Sequence, residues 1–506
     1  MFDNFQKTTW STSNLNSSKL SSQRLFFTKV YFFTQLCGIL QIFSRSFFRS
    51  YFRSFLRSSF RSNLFRQIFL GMAVLLSFTS HALTSKTSNY IQGSAPYLTF
   101  DGGRTRVVDV NGLLGITLSD GTRYTPSTNS SSTTPIVLPV AGQSFADIGM
   151  FVPTNTNSVG LGELISPPYN YWGDDDGDTD VTAMGYLHLS IVDNSGQAVS
   201  RSTVPEICKA PYLVTLSSTD VIFYTRYGIP NRNTFSAGRV TYYVNPKAAE
   251  VCFAKPNLNY YSTKWPSMFD SRYGFLTQST DPSRYGSNFP TTGANGLYFD
   301  LDIRGVSQPL SWSSLSQGGI TVTMSNSTAA SVRVTLTGPF ATESQHNSAN
   351  PGLISKPILP QTFELVGRDG QGNPVIKYGF TLKQWFVNRG TKWDNYPNTL
   401  SWCNRTGYRL VKIKDITNAK YVARSDVIIP GAMPTSDFFL YMRYIGAGFS
   451  SEWGRVNNIS DIGFTPINHW IWTSDSDGNG PFIVNITNGG VDWYNNNYTY
   501  GLCTYP

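Results

Sequence analysis

Trp402-Cys403, Gly407-Tyr408-Arg409-Leu410, Glu452-Trp453-Gly454, Trp470-Ile471-Trp472-Thr473-Ser474, Val491-Asp492-Trp493-Tyr494 and Leu502-Cys503-Thr504-Tyr505-Pro506 follow one another through the C-terminal part of the chain. Two cysteines bracket this stretch, Trp and Tyr are spent freely within it, and it carries no charge runs. A segment of that composition packs a small irregular domain, presents stacking surfaces to a ligand, or does both. Neither use requires catalysis.

Working upstream, the texture from about 160 to 386 is β throughout. Leu187 to Val192 alternates apolar and polar residues and turns at Asp193-Asn194-Ser195-Gly196. Ile320 to Met324 and Val332 to Leu336 flank Ser325-Asn326-Ser327, and Thr362 to Val366 and Val375 to Tyr378 flank Asp369 to Pro374. Period-two runs separated by turn residues predict antiparallel hairpins with one buried face, and hence a mainly β protein built on an antiparallel β-sandwich. Residues 387–506 differ. There we expect a mixed, loop-rich α+β module, with a short helix between Thr406 and Ala423 beginning near Asp415 to Ala419 and loops dominating to the end. Residues 83–159 hold a Ser/Thr run, Tyr124 to Pro135, that reads as a linker or an exposed loop.

Composition narrows the function classes. A chain of 506 residues holds roughly two to four ordinary domains. Charged residues make up 14% and aromatic residues another 14%, the balance of extracellular β-rich domains and not of a cytosolic helical enzyme. The formal charge of +9 points at first to nucleic acid, but residues 1–82 hold ten Lys/Arg and one acid and so carry all of it. The remainder is balanced, which excludes an electrostatic footprint for DNA or RNA. That basic leader precedes an apolar run, Ile68 to Phe78, and the small residues Ser80 and Ala82, the layout of a secretory signal peptide. The run is shorter than the ~20 residues that span a bilayer, so we expect cleavage after Ala82 and export, with an uncleaved anchor helix as the alternative. Arg45, Arg49, Arg53, Arg57 and Arg61 would spiral around a helix and form no clean face, as a low-complexity expansion does.

Export would remove Cys37 and leave Cys208, Cys252, Cys403 and Cys503, an even set suited to an oxidising compartment. No C-x-x-C or Cys/His cluster points to zinc. Three pairings are open. We choose 208 with 252 and 403 with 503, because each then closes within one expected domain.

Trp172-Gly173-Asp174-Asp175-Asp176-Gly177-Asp178, Ile207-Cys208-Lys209-Ala210-Pro211-Tyr212, Val251-Cys252-Phe253-Ala254, Phe289 to Ala294, Tyr298 to Ile303, Phe363 to Asp369 and Gly407-Tyr408-Arg409-Leu410 together resemble the adhesion domain of enterobacterial invasin-like surface proteins. The resemblance covers about 160 to 506. It implies an Ig-like sandwich followed by a C-type-lectin-like domain of the invasin and intimin kind, in which a cysteine near the first helix bonds to one on the last strand. It also implies a host-cell or surface-binding adhesin of a Gram-negative bacterium, associated with the outer membrane. Two departures stand beside it. Residues 83–160 are too few for the outer-membrane barrel and Ig-like repeats of large members, and the Glu-Pro-Asn, Gln-Pro-Asp and Trp-Asn-Asp motifs of calcium-dependent lectins do not occur, so calcium-mediated sugar binding does not carry over.

Candidate sites follow from the residues. Asp174, Asp176, Asp178 and Asp180, around the bend at Gly177, can converge oxygen ligands on a hard cation such as calcium, the bland alternative being a solvated acidic turn. Asp475, Asp477 and Asn479 near Gly478 form a weaker set. Trp470, Trp472, Trp493, Tyr494 and Tyr498 are the candidate binding residues; Trp470 and Trp472 fall on one side of an alternating strand, where they either face a ligand or fill a core. No Gly-x-Ser-x-Gly or His-Glu-x-x-His occurs, and Asp300 and Asp302 are the sort of strand carboxylates that are usually solvated, so no enzyme is expected. The expected function is adhesion to a host cell-surface protein or glycan, with no nucleic acid and no required cofactor. A secreted carbohydrate-binding protein is the alternative, and a secreted hydrolase comes after it.

Overall fold

The computed structural model describes residues 92–256, 266–423, 425–456, 470–478, 480–493 and 498–506. The leader, its apolar run and Cys37 lie outside the described residues, as do Asn479 and Tyr494. Among the described residues no helix is long and apolar enough to cross a membrane.

The protein is mainly β, and its sheets are largely antiparallel. The first core lies between a five-stranded and a three-stranded sheet. In the former, Tyr186–Val192 pairs with Tyr212–Ser218, which pairs with Gly238–Asn245; Ser158–Gly160 and Ile136–Val137 form the edges. The alternation in sequence works as expected: Leu187, Leu189 and Ile191 turn inward opposite Val214 and Leu216, which meet Tyr242 and Val240 across the next ladder. Val221, Phe223 and Phe235 of the three-stranded sheet close the core from the other side. The Ser/Thr run is largely exposed but tied to this sheet. Asn129 Nδ2 donates to Thr241 O (2.8 Å), and the buried Ser131 Oγ accepts from Tyr243 N (2.9 Å).

A seven-stranded sheet follows, ordered Phe269–Asp270, Gly274–Leu276, Glu250–Lys255, Tyr298–Arg304, Ser331–Thr337, Ile320–Ser325, Leu315–Gln317. The hairpin Gln361–Arg368 with Pro374–Leu382 lays Phe363, Leu365, Tyr378 and Phe380 into the same core. The third large sheet is C-terminal: Thr292–Ala294, Gln384–Asp394, Thr499–Tyr505, Trp470–Ser476, Pro481–Asn485, Val491–Trp493, with Arg409–Leu410 beside Thr499–Tyr505. Its first strand comes from far upstream and runs parallel to Gln384–Asp394. One continuous apolar core therefore runs from Val251 to Cys503.

Two local expectations need correction. The helix is Tyr396–Thr406, ahead of the place the sequence suggested, and only a single turn, Ile413–Ile416, forms near Asp415. Its signals are sound: the Asn395 side chain caps Asn398 N, Pro397 sits in the first turn, and Gly407 at φ 84° ends it in a conformation that costs a Cβ-bearing residue about 1 kcal/mol or more. The end of the chain is also not mainly loop, since it supplies the central strands of the third sheet. Those strands show no polar alternation because both of their faces are covered.

Both cysteine pairs form, Cys208–Cys252 and Cys403–Cys503. Closing loops of 44 and 100 residues contributes at most roughly 4 and 4.7 kcal/mol through the unfolded state. The second bond ties helix Tyr396–Thr406 to strand Thr499–Tyr505.

Candidate functional site

Most of the C-terminal aromatics are core, and each buried indole finds an acceptor. Trp402 Nε1 donates to Gln345 O (2.9 Å), Trp453 Nε1 to Thr292 O (3.1 Å) and Trp385 Nε1 to Pro339 O (2.8 Å). Trp472 belongs with them. It is 1% exposed and its Nε1 donates to Asp394 O (3.0 Å), so it offers no contact surface. Trp470 is half-buried, and Trp493 is half-buried with its Nε1 on Asp477 Oδ2 (2.6 Å). Tyr498 is 53% exposed. The strand Trp470–Ser476 buries Ile471, Trp472 and Thr473 in succession, so Trp470 and Trp472 form no exposed pair. The register against Pro481–Asn485 is regular from Trp470 to Trp472, so the two rings do leave the strand on one side, but that side is covered at Trp472.

Two exposed apolar features are not visible in the sequence pattern. Trp393 is 60% exposed at the end of Gln384–Asp394 and its ring lies 5.9 Å from that of Tyr500, near Tyr498. The larger feature lies between 427 and 439, where Val427, Ile428, Met433, Phe438 and Phe439 are all exposed, Ile428 by 68% and Met433 by 75%. The Phe438 and Phe439 rings are 5.5 Å apart. This segment is anchored along 417–422: Ile429 N donates to Lys420 O (3.0 Å), Lys420 N to Phe438 O (3.0 Å) and Ser436 N to Asn418 O (2.7 Å). Its apolar residues look in sequence like any core strand; the neighbours Ile429 and Tyr441 are in fact buried. Only the backbone pairing decides which members turn outward.

The unit that carries this surface is firmly seated. Glu452, fully buried, accepts from Thr291 N and Oγ1, Thr292 N and Oγ1, and Gly446 N at 2.6–3.1 Å. In the Gly407-Tyr408-Arg409-Leu410 stretch, Tyr408 OH donates to Ser355 O (2.8 Å) and Arg409 holds Asp415 at 2.5 and 3.1 Å. Burial raises the Asp415 pKa, but the Arg409 guanidinium and the Lys412 amide outweigh it and leave the carboxyl below its ordinary value.

The acidic loop converges in part. Asp174, Asp176 and Asp178 bring one oxygen each within 4.8 Å of one another. Asp180 does not join them and instead lies 3.9 Å from Arg226. Ser94 straps the loop, its amide donating to Asp176 Oδ2 (3.0 Å) and its hydroxyl to Asp174 Oδ1 (2.8 Å), while Arg106 neutralises Asp175 at 2.5 Å. The strap fits because Gly93 has no side chain: a Cβ there would meet Gly228 Cα at 2.7 Å and Asp176 Oδ2 at 2.8 Å. Burial and the neighbouring Asp176 carboxylate hold the Asp174 pKa above its usual value. Asp174 Oδ2 and Asp178 Oδ2 are buried atoms with no hydrogen-bond partner among the described residues, a donor set that suits a hard cation. The second acidic set is committed to structure, since Asp475 Oδ2 accepts from Ile413 N (2.6 Å) and Asp477 holds Trp493. Asp300 and Asp302 are paired with Arg333 and Arg304.

The fold and these surfaces define a mainly β protein that ends in a disulfide-closed unit with exposed apolar side chains. No protein-family model matches the sequence, and no curated protein is significantly similar to it. Among solved structures it is similar to invasin, a bacterial integrin-binding protein, at 11% identity and TM-score 0.32 over 65% of this chain and 52% of that one. It is also similar to the C-terminal 282-residue fragment of intimin in complex with the intimin-binding domain of the translocated intimin receptor, at 10% identity and TM-score 0.30 over 65% of this chain and all of that one. An intimin mutant of EHEC O157:H7 aligns at 15% identity and TM-score 0.25 over 43% of this chain and 89% of that one. The chain thus spans about half the length of the invasin chain. Likenesses this slight transfer no function.

Proposed function

We propose that the chain is an exported bacterial cell-surface adhesin that holds a host surface protein through residues 387–506. The observation that carries this is the exposed apolar surface of Val427, Ile428, Met433, Phe438 and Phe439 on a segment tied down at several backbone positions. Apolar exposure concentrated in one segment of a folded chain marks an interaction site, and a preorganised one loses little freedom on binding. The motif resemblance to invasin-like adhesion domains points the same way, as does a C-terminal unit closed by Cys403–Cys503. Outer-membrane association belongs to the same proposal.

The test is attachment of the purified protein to intact host cells. Changing Ile428→Asp together with Met433→Asp leaves thermal stability within about 0.5 kcal/mol, as surface changes do, and lowers attachment by roughly thirtyfold or more, as loss of a central contact does. Undiminished attachment by the folded double variant overturns the proposal. A second reading rests on Trp393 beside Tyr500 and Tyr498, an aromatic edge suited to a sugar ring. Attachment that survives the double variant but disappears with Trp393→Ala, or on stripping glycans from the cells, supports a secreted carbohydrate-binding protein instead.

A further inference from the structure

A cavity of about 430 Å³ opens where the first core meets the second, far along the chain from the exposed apolar segment. One wall is the turn at Asn194, the loop at Ile207 and Pro211, and Asn245 at the end of its strand; the other is Arg272-Tyr273 and Arg304. The volume suits a guest of one or two sugar rings.

The walls are fixed before any guest arrives. The Cys208–Cys252 bond lies beside the cleft, Arg304 Nη1 donates to Cys208 O (2.9 Å), Arg304 Nε to Asp302 Oδ1 (3.0 Å), and Asn194 Nδ2 to Ala210 O (3.0 Å). Both guanidiniums flank one ring, Arg272 at 5.0 Å and Arg304 at 5.2 Å from the Tyr273 centroid. That ring is itself stacked on Phe253 at 5.2 Å.

What the walls leave unspent defines the guest. Arg272 Nη1 and Arg304 Nη2 make no hydrogen bond among the described residues. The unspent nitrogen on each guanidinium calls for an anion with two hydrogen-bond-accepting oxygens, which a carboxylate supplies. Ile207 and Pro211 supply an apolar surface for C–H groups. Asp270 and Asp302 each engage one of the arginines, so the cleft carries little net charge, and a bare anion gains little there.

We propose that this cleft is a binding site for a carboxylate-bearing sugar. The site is independent of the receptor surface proposed above. Titration calorimetry of the full chain with methyl β-glucuronide, methyl β-glucoside and inorganic phosphate tests it. The glucuronide is expected to bind roughly tenfold or more tightly than either control. Arg272→Glu, a change at an exposed side chain, removes that binding without changing the melting temperature. Free glucuronic acid run alongside distinguishes a soluble sugar acid from the end of a glycan: a preference for the methyl glycoside marks the glycan, a preference for the free acid the soluble sugar, and both support the site. Equal binding of glucoside or phosphate, no binding of glucuronide, or binding untouched by Arg272→Glu overturns it.

Discussion

Glu452 shows how a single residue ties the C-terminal part of the chain to the strand it borrows from upstream, Thr292–Ala294. Its carboxylate has no exposed surface and serves five donor groups, four of them on Thr291 and Thr292. Glu452→Ala strands those donors in the interior, and we expect a loss of about 3–5 kcal/mol in urea unfolding, against a much smaller effect from changing an exposed carboxylate such as Asp180. Asp415 acts in the same region with a pH signature. Its folded pKa is depressed below the ordinary aspartate value of 3.8, so the unfolded chain takes up the proton first. The stability it contributes is fully present above that value and is lost as pH falls through the depressed pKa. Asp415→Asn should therefore flatten the acid limb of a stability-versus-pH curve below about pH 4 and leave its shape near neutrality unchanged.

At the scale of elements, helix Tyr396–Thr406 is pinned to strand Thr499–Tyr505 by Cys403–Cys503, across a chain separation of 100 residues. Replacing both cysteines by serine should lower stability by up to roughly 4.7 kcal/mol, most of it through a freer unfolded chain. Chemical denaturation of wild type against the double variant measures it. The acidic loop 174–178 with its Ser94 strap is a second such element. Calcium added to the full chain should raise the melting temperature, an effect lost in Asp174→Asn and kept in Asp180→Asn, because only Asp174, Asp176 and Asp178 converge. An unchanged melting temperature would leave this loop a solvated acidic turn.

At the scale of the whole molecule, two cores meet on one strand. In Glu250–Lys255 the Cys252 side chain enters the first core while Val251 and Ala254 enter the second, made possible by an irregular register at Cys252. The second core then continues without a break into the C-terminal sheet, which borrows Thr292–Ala294 from upstream. Strands that share a sheet and a core open together. Hydrogen exchange should accordingly give Thr292–Ala294 and Thr499–Tyr505 the same opening free energy, and a C-terminal sheet that exchanged independently of Thr292–Ala294 would contradict the shared core.

Much of this was legible in the residues. Leu187 to Val192, Ile320 to Met324 and Thr362 to Val366 announced their strands because one buried face and one wet face impose period two. The cysteines announced an oxidised pairing, and the bonds that form are 208 with 252 and 403 with 503, as expected. Composition placed the charge excess in the leader and the aromatic wealth at the C-terminus. What a linear pattern does not carry is which apolar side chain is covered. Trp472 is buried and Trp393 exposed, and Phe438 and Phe439 lie outside while Tyr441 two residues on lies inside. Those outcomes depend on strand pairings between residues far apart in the chain, on Thr292 meeting Gln384 and Ile471 meeting Tyr500. Local sequence determined the strands that keep one wet face; the long-range closure of the sheets decided the doubly covered C-terminal strands and which aromatics became core and which became surface.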